Sequence, residues 1–301
     1  MPSLTVIEAP SILGLRPSGV EDLPTALIQA GLLDQLGLTS SDTHTRVDAP
    51  PYYPRRDEET GILNAAAIAH FSADLADAVG DALDHDLFPL VLGGDCTILL
   101  GNLLALRRRG GRYGRYGLLF LDGHTDFYQP SAEPNGEAAS MELALATGRG
   151  PSLLSDLEGR GPLVREENVV AFAFRDAAES AQAGMQPLPQ TLHAIDLDAV
   201  RAWGAEAAAH RALGLLGTAY WIHLDADVLN DDVMPAVDYR LPGGLTWQEL
   251  EDVLHTALSD ERALGLDLTI FNPHLDPDGT LAARLTECLS RALTARGGQE
   301  R

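Results

Sequence analysis

The chain has 301 residues, with 44 acidic side chains against 21 basic ones and a formal net charge of −23 at pH 7. Such a surface repels nucleic acid and anionic membranes and suits small cationic partners. Every basic residue is arginine, which excludes Schiff-base lysine chemistry and a phosphate-binding P-loop.

The 45% hydrophobic content places the chain among globular proteins. Its two cysteines, Cys96 and Cys288, stand far apart and suggest no disulfide framework. The opening MPSLTVIEAP lacks the basic and apolar regions of a signal peptide. No run reaches the length of a membrane span, so a cytoplasmic location is expected.

Leu4 to Ile7 reads as the first strand, Gly14 to Asp22 as a loop, and Pro24 to Leu36 has helical spacing. Arg46 to Asp48 reads as a short second strand, and Asp48 to Gly61 as an exposed connection. Asn64 is expected to cap a long Ala-rich helix to about His85. Leu87 to Leu92 is a buried strand stopping at Gly93-Gly94-Asp95-Cys96, and a helix follows from Ile98 to Arg109. Leu118 to Leu121 is the next apolar strand, then a loop over Tyr128 to Gly136 and a helix from Met141 to Thr147. The 150–167 region reads as a loop insertion. Val169 to Phe174 and Thr191 to Ile195 are strands flanking a helical piece around Ala177 to Met185. Asp198 to Leu216 is a helix and Ala219 to Leu224 a strand. Trp247 to Leu258 is a helix opened by Thr246 and Glu249, a capping-box spacing. Ala263 to Ile270 is the last strand and Gly279 to Thr294 the last helix. Eight apolar strands alternating with helices predict one α/β domain over residues 1–301, a three-layer α/β/α arrangement around a mainly parallel sheet.

Two strand ends carry the chemistry. After Leu121 come Asp122, His124 and Asp126 at alternate positions, and after Leu224 come Asp225 and Asp227. Residues two apart in an extended chain share a face, so these donors converge at carboxyl ends of strands, where parallel sheets place their ligands. One such pair could be a solvated loop. Four carboxylates gathered behind two buried strands would repel one another unless cations lie between them. His223 shares a face with Asp225 and is either a donor supporting the cluster or a packed core histidine. His274, after the last strand, is a proton shuttle or a plain loop histidine. Glu133, Asn135 and Glu137 either face substrate or belong to a solvated turn.

In their order these blocks resemble the arginase/agmatinase family, the ureohydrolases. Gly93-Gly94-Asp95-Cys96 is similar to the family's GGDH turn, and Asp122-Gly123-His124-Thr125-Asp126 to its DAHxD block. Asp225-Ala226-Asp227 with Met234-Pro235-Ala236 and Gly243-Gly244-Leu245-Thr246 resembles SxDxDxxDP…PA…GGLT. Leu266 to Pro273 resembles DxxEVNP, and Arg175-Asp176 matches an RD pair on the family's substrate side. The resemblance implies an arginase-like fold and hydrolysis of a guanidino or amidino C–N bond by two divalent ions, Mn²⁺ foremost, sharing a hydroxide. It implies that Asp122 and Asp225 bridge the ions, that Asp126 and residue 96 complete one site, and that His124 and Asp227 complete the other. Asp126 would also orient the hydroxide. Asn135, Glu137, Arg175 and Asp176 would contact a small cationic substrate, and the chain would form a homo-oligomer, a trimer or hexamer.

Three positions depart from the pattern. Cys96 replaces the first-block histidine, Ala139 or Ser140 stands at the general acid/base histidine, and Ile270 replaces the glutamate that grips the guanidinium. A thiolate ligand would favour Zn²⁺, Fe²⁺ or Co²⁺; otherwise Cys96 is a buried free cysteine. The expectation is a metal-dependent hydrolase of guanidino, hydroxyguanidino or amidino compounds that is a poor arginase, with His274 supplying the missing shuttle. The alternative is a non-catalytic binding or regulatory protein on the same fold. A deacetylase is set aside because the paired histidines of that chemistry are absent.

Overall fold

The computed structural model describes residues 3–38, 44–110 and 115–297. Its strands are β1 (Leu4–Ala9), β2 (His44–Arg46), β3 (Phe88–Gly93), β4 (Tyr116–Leu121), β5 (Val169–Phe172), β6 (His193–Ile195), β7 (Ala219–Asp225) and β8 (Ala263–Thr269). They form one sheet in the order β2-β1-β3-β8-β7-β4-β5-β6, with every pairing parallel. Successive side chains go to opposite faces, and both faces are buried. Leu119, Leu121, Ile222, Leu224, Leu266 and Leu268 pack into one apolar layer, while Leu118, Phe120, Val169, Ala171 and Trp221 pack into the other. This is why these strands read as largely apolar runs.

Helices cover both layers, as expected. The first layer holds side chains of helices Leu23–Gln29, Ala205–Leu216, Trp247–Ser259 and Thr280–Gly297. The second holds those of Ala65–Asp84, Ile98–Arg108 and the short Glu142–Ala146. The Thr246–Glu249 capping box forms with both of its hydrogen bonds. Among the described residues no helix is long and apolar enough to cross a membrane.

Several local expectations change. The helix expected over Pro24 to Leu36 divides at Gly31, whose φ of 91° leaves the helical region. The helix over Asp198 to Leu216 divides at Gly204, φ 83°. The second strand runs His44–Arg46, beside β1, rather than Arg46 to Asp48. The 150–167 region holds a helical turn, Ser152–Ser155, and 3-10 turns. Asn64 precedes its helix but does not cap it. Its φ is 51°, its Oδ1 accepts from Tyr53 N at 2.7 Å, and its Nδ2 donates to Leu13 O at 3.0 Å. It ties loops together instead.

Sheet order positions the site. In the sheet β1 and β2 lie beyond β3 on one side and β5 and β6 beyond β4 on the other, with β8 and β7 inserted between. The carboxyl tips of β3, β8, β7 and β4 therefore sit side by side at the switch in winding, the usual ligand crevice of such sheets.

Candidate metal centre

The β3 tip is built around Gly94 and Asp95. A Cβ on Gly94 would lie 1.8 Å from the Ser11 carbonyl oxygen, so only glycine lets the two chains pass. Asp95, fully buried, accepts from Ser11 Oγ at 2.6 Å and Thr97 N at 2.9 Å, and its own N–H donates to Ser11 O at 3.0 Å. This bracket turns Cys96 inward. The Cys96 thiol donates to Asp225 Oδ2 at 2.9 Å and lies 3.4 Å from Thr269 Oγ1.

The β4 and β7 tips lock together. Asp122 Oδ1 accepts from His124 N at 2.6 Å, and Asp225 Oδ1 accepts from Asp227 N at 2.7 Å. Asp227 Oδ1 accepts from Gly123 N at 3.0 Å across the two strands, and its Oδ2 meets His124 Nδ1 at 2.8 Å. Asp126 adopts φ 41° and lines the cavity above. The alternating spacing after β4 and β7 and the turn after β3 thus bring Cys96, Asp122, His124, Asp126, Asp225 and Asp227 to one place.

Their electrostatics show how unfavourable this gathering is without a cation. Burial, then Asp227, pushes the Asp122 carboxyl up to about 6. Burial, reinforced by Asp122, raises Asp126 well above the carboxylate range, and burial with Asp227 does the same to Asp225. Burial also pushes the Cys96 thiol well up, with Asp225 adding to it. Burial opposes charge on both Asp227 and His124, but their mutual attraction wins, lowering Asp227 and raising His124.

Beneath this layer lies a group that sequence reasoning did not find. Glu142, the first residue of its short helix, is fully buried and faces His223 on β7. Glu142 Oε1 stands 3.5 Å from His223 Nε2, yet neither atom has a hydrogen-bond partner, and neither does Glu142 Oε2. On its other side His223 Nδ1 meets Asp267 Oδ2 at 2.6 Å, and its ring stacks on Phe120 with centroids 4.8 Å apart. His223 is therefore packed in the core and also joined to the cluster, through Asp122 and Asp225. The available signal was a single carboxylate inside the apolar run Met141 to Ala146, directly after the Asp126 loop.

A cavity of ≈ 270 Å³ opens above the cluster. Asn135, Glu137 and Asp176 line it, as do Glu133, Ala139 and Ile270. Glu137 is already engaged, accepting from Arg16 N at 2.9 Å and from Tyr239. Asp176 Oδ2 accepts from Thr125 N at 3.1 Å and Thr125 Oγ1 at 2.9 Å, while its Oδ1 is buried without a partner. Two of the expected residues stand apart from the cavity. Arg175 lies outside the lining; its Nη2 donates to Asp227 O, Leu229 O and Leu241 O at 2.8–3.2 Å, so it clamps the loop after β7. His274 also lies outside; it is exposed and its Nε2 pairs with Asp22 Oδ2 at 2.9 Å, because the 3-10 turn Pro273–Leu275 carries it away from the tips.

The residues present fit divalent cations. Asp122 Oδ2, both Glu142 oxygens and His223 Nε2 are buried and unpartnered. Donor atoms fall within 4.8 Å of one another in the sets Asp122–His124–Asp227, Asp122–His223–Asp225, Asp122–Asp126–Glu142 and Cys96–Glu142–His223. Unsatisfied acceptors of one sign at such spacing need a cation or protons between them.

The family model described as "Arginase family" matches residues 4–293. The arginase of Staphylococcus aureus (strain MRSA252) is 27% identical over 282 residues, covering 91% of each chain. The arginase of Bacillus caldovelox is 28% identical over 282 residues, 92% of this chain and 93% of that one. The solved native structure of the Bacillus caldovelox arginase at pH 5.6 superposes with a TM-score of 0.85 over 97% of this chain and 98% of that chain, at 23% identity, a likeness of fold. A match along nearly its whole length, together with acidic strand tips meeting at the middle of an all-parallel sheet, establishes that this chain belongs to the arginase family.

Proposed function

We propose that the chain is a metal-dependent hydrolase that cleaves a C–N bond of a small cationic guanidino, hydroxyguanidino or amidino compound and is a poor arginase. The observation that carries this is the cavity itself. Asp126, Glu133, Glu137, Asp176, Asp225 and Asp227 line it, and among its described lining residues there is no arginine. A guanidinium or amidinium is attracted into such a pocket and an anion is turned away. When bound, a pair of divalent ions lowers the pKa of shared water enough to supply a nucleophile at neutral pH. Asp122, His124, Asp126, Asp225 and Asp227 would hold the ions, Asp126 would also orient the attacking water, and Asp176 Oδ1, buried without a hydrogen-bond partner, would orient the cation.

Poor arginase activity follows from Ile270, whose side chain lines the cavity where the family resemblance expects a carboxylate. The test is release of urea or ammonia from a panel of guanidino and amidino compounds, using metal-loaded protein. Turnover lost in Asp122→Ala and Asp225→Ala supports the reading; full activity in either variant overturns it. A second reading, a non-catalytic binding protein, draws on the apolar wall made by Leu15, Ala139 and Ile270. Tight metal with no release from any compound favours it.

A further inference from the structure

We propose that Cys96, Glu142 and His223 form a metal-binding set of their own beneath the cavity, a sulfur, oxygen and nitrogen triad suited to Zn²⁺ and Co²⁺. This deepens the reading of the same centre and rests on that centre holding divalent ions. Four observations carry it.

The three donor atoms lie within 4.8 Å of one another, and all three residues are at most 2% exposed. Donors about 2.0–2.3 Å from a common ion stand that close, and carboxylate, imidazole and thiolate are the donor types zinc sites use. Both Glu142 oxygens and His223 Nε2 are buried with no hydrogen-bond partner, although the two residues stand 3.5 Å apart. Buried polar groups nearly always find partners, so three orphan atoms in one cluster mark a place for a missing one.

The third observation is tautomeric. Asp267 Oδ2 lies 2.6 Å from His223 Nδ1, and an acceptor there favours the tautomer with its proton on Nδ1, whose Nε2 lone pair faces Glu142 once an ion displaces the proton from that side. A carboxylate behind an imidazole in this way is the usual support of a metal-ligating histidine. Asp267 is itself fixed by Asn102 Nδ2 at 3.0 Å and by the Trp221 indole, so the imidazole cannot swing away. The fourth is charge. A thiolate, a carboxylate and a neutral imidazole around one divalent ion sum to zero, which a fully buried site requires.

The triad also accounts for Cys96. Cys96 alone in place of a histidine would leave a site short of a nitrogen donor; His223, from β7, restores one and Glu142 adds an oxygen. A soft sulfur with imidazole moves preference toward zinc-class ions relative to an all-oxygen and imidazole set.

The test is Co²⁺ binding to the metal-free full chain, followed by absorption. The wild type is expected to show a thiolate-to-cobalt charge-transfer band in the near ultraviolet, a readout that needs no variant to fold. The band should vanish in Cys96→Ser. Glu142→Gln, nearly isosteric, and His223→Asn should each lower Co²⁺ and Zn²⁺ affinity tenfold or more, with circular dichroism of the metal-free proteins matching the wild type. A wild-type complex without the band overturns the proposal, as does unchanged affinity in a folded Glu142→Gln or His223→Asn protein. If these variants do not fold, X-ray absorption at the cobalt of the wild-type complex decides: sulfur and imidazole nitrogen around one cobalt are expected, and sulfur without imidazole overturns the triad. Hydrolysis is scored separately: the spectral and affinity results with no turnover would remove the hydrolase reading and leave the triad, whereas turnover without the band would do the reverse.

Discussion

Asp267→Asn probes the support behind His223. Asp267 is fully buried and receives three donors: Asn102 Nδ2 at 3.0 Å, the Trp221 indole N–H, and His223 Nδ1 at 2.6 Å. The amide keeps the shape, but one end becomes a donor, and no orientation accepts all three bonds. A bond to a charged acceptor contributes about 1.5–3 kcal/mol and a neutral one about 1. Losing the charge on three bonds therefore costs about 2–4 kcal/mol. The cost is limited by one escape: His223 moves its proton to Nε2, toward Glu142 Oε1 at 3.5 Å, and accepts from the new amide at Nδ1. Urea denaturation at pH 7 measures the stability loss, and ¹⁵N shifts of the His223 ring report the tautomer. The switched tautomer presents an N–H where an ion needs a lone pair, so metal affinity should fall about 10–100-fold. A variant within about 0.5 kcal/mol of wild type that keeps its proton on Nδ1 would refute the reasoning.

Gly94→Ala should cost about 3 kcal/mol, because the added methyl meets the Ser11 backbone oxygen at 1.8 Å and no flexible side chain can yield; an unchanged denaturation midpoint would contradict this. Metal-free protein should lose stability as pH rises. The buried Asp122 carboxyl sits at about 6 against an ordinary value of 3.8, so its favourable neutral form is fully present below about pH 4 and is lost through pH 6. That shift is worth on the order of 3 kcal/mol, and Asp126, Asp225 and Glu142 act in the same direction. Calorimetry with a chelator should show the melting temperature falling from about pH 4 to about 7.5, a fall that divalent ions remove; a flat chelated profile would count against it. Ile270→Glu places a carboxylate on the cavity wall and replaces a β-branched residue at φ 69°, a conformation such residues rarely adopt. It should raise kcat/KM for a guanidinium substrate about 10–100-fold, the worth of a charge-assisted hydrogen bond, and no gain on any substrate would tell against the cavity assignment.

Strands and tips were legible because their signals are local. A strand buried on both faces is largely apolar, so β3 and β4 stand out as runs, β7 and β8 as runs broken only by His223, Asp267 and a few small or hydroxyl residues, and those of β4 and β7 are followed by polar donors at period two. The capping box at Thr246 is likewise written within four residues. The glycine breaks at Gly31 and Gly204 were less legible, since a helical apolar pattern continues past each one while the backbone does not.

By itself, then, the chain's order of residues determined a mainly parallel α/β architecture and put Asp122, His124 and Asp126 on one face of one strand end and Asp225 and Asp227 on one face of another, because hydrophobic periodicity and two-residue spacing dictate which way each side chain faces; that these tips meet one another and Cys96 follows from the strand order. Tertiary structure alone decided that Glu142 reaches His223, that Arg175 clamps a loop, and that His274 turns outward to Asp22. Those outcomes depend on which segment is laid over which face of the sheet. No local pattern encodes that, because contacts between residues far apart in the chain form only when the whole fold closes.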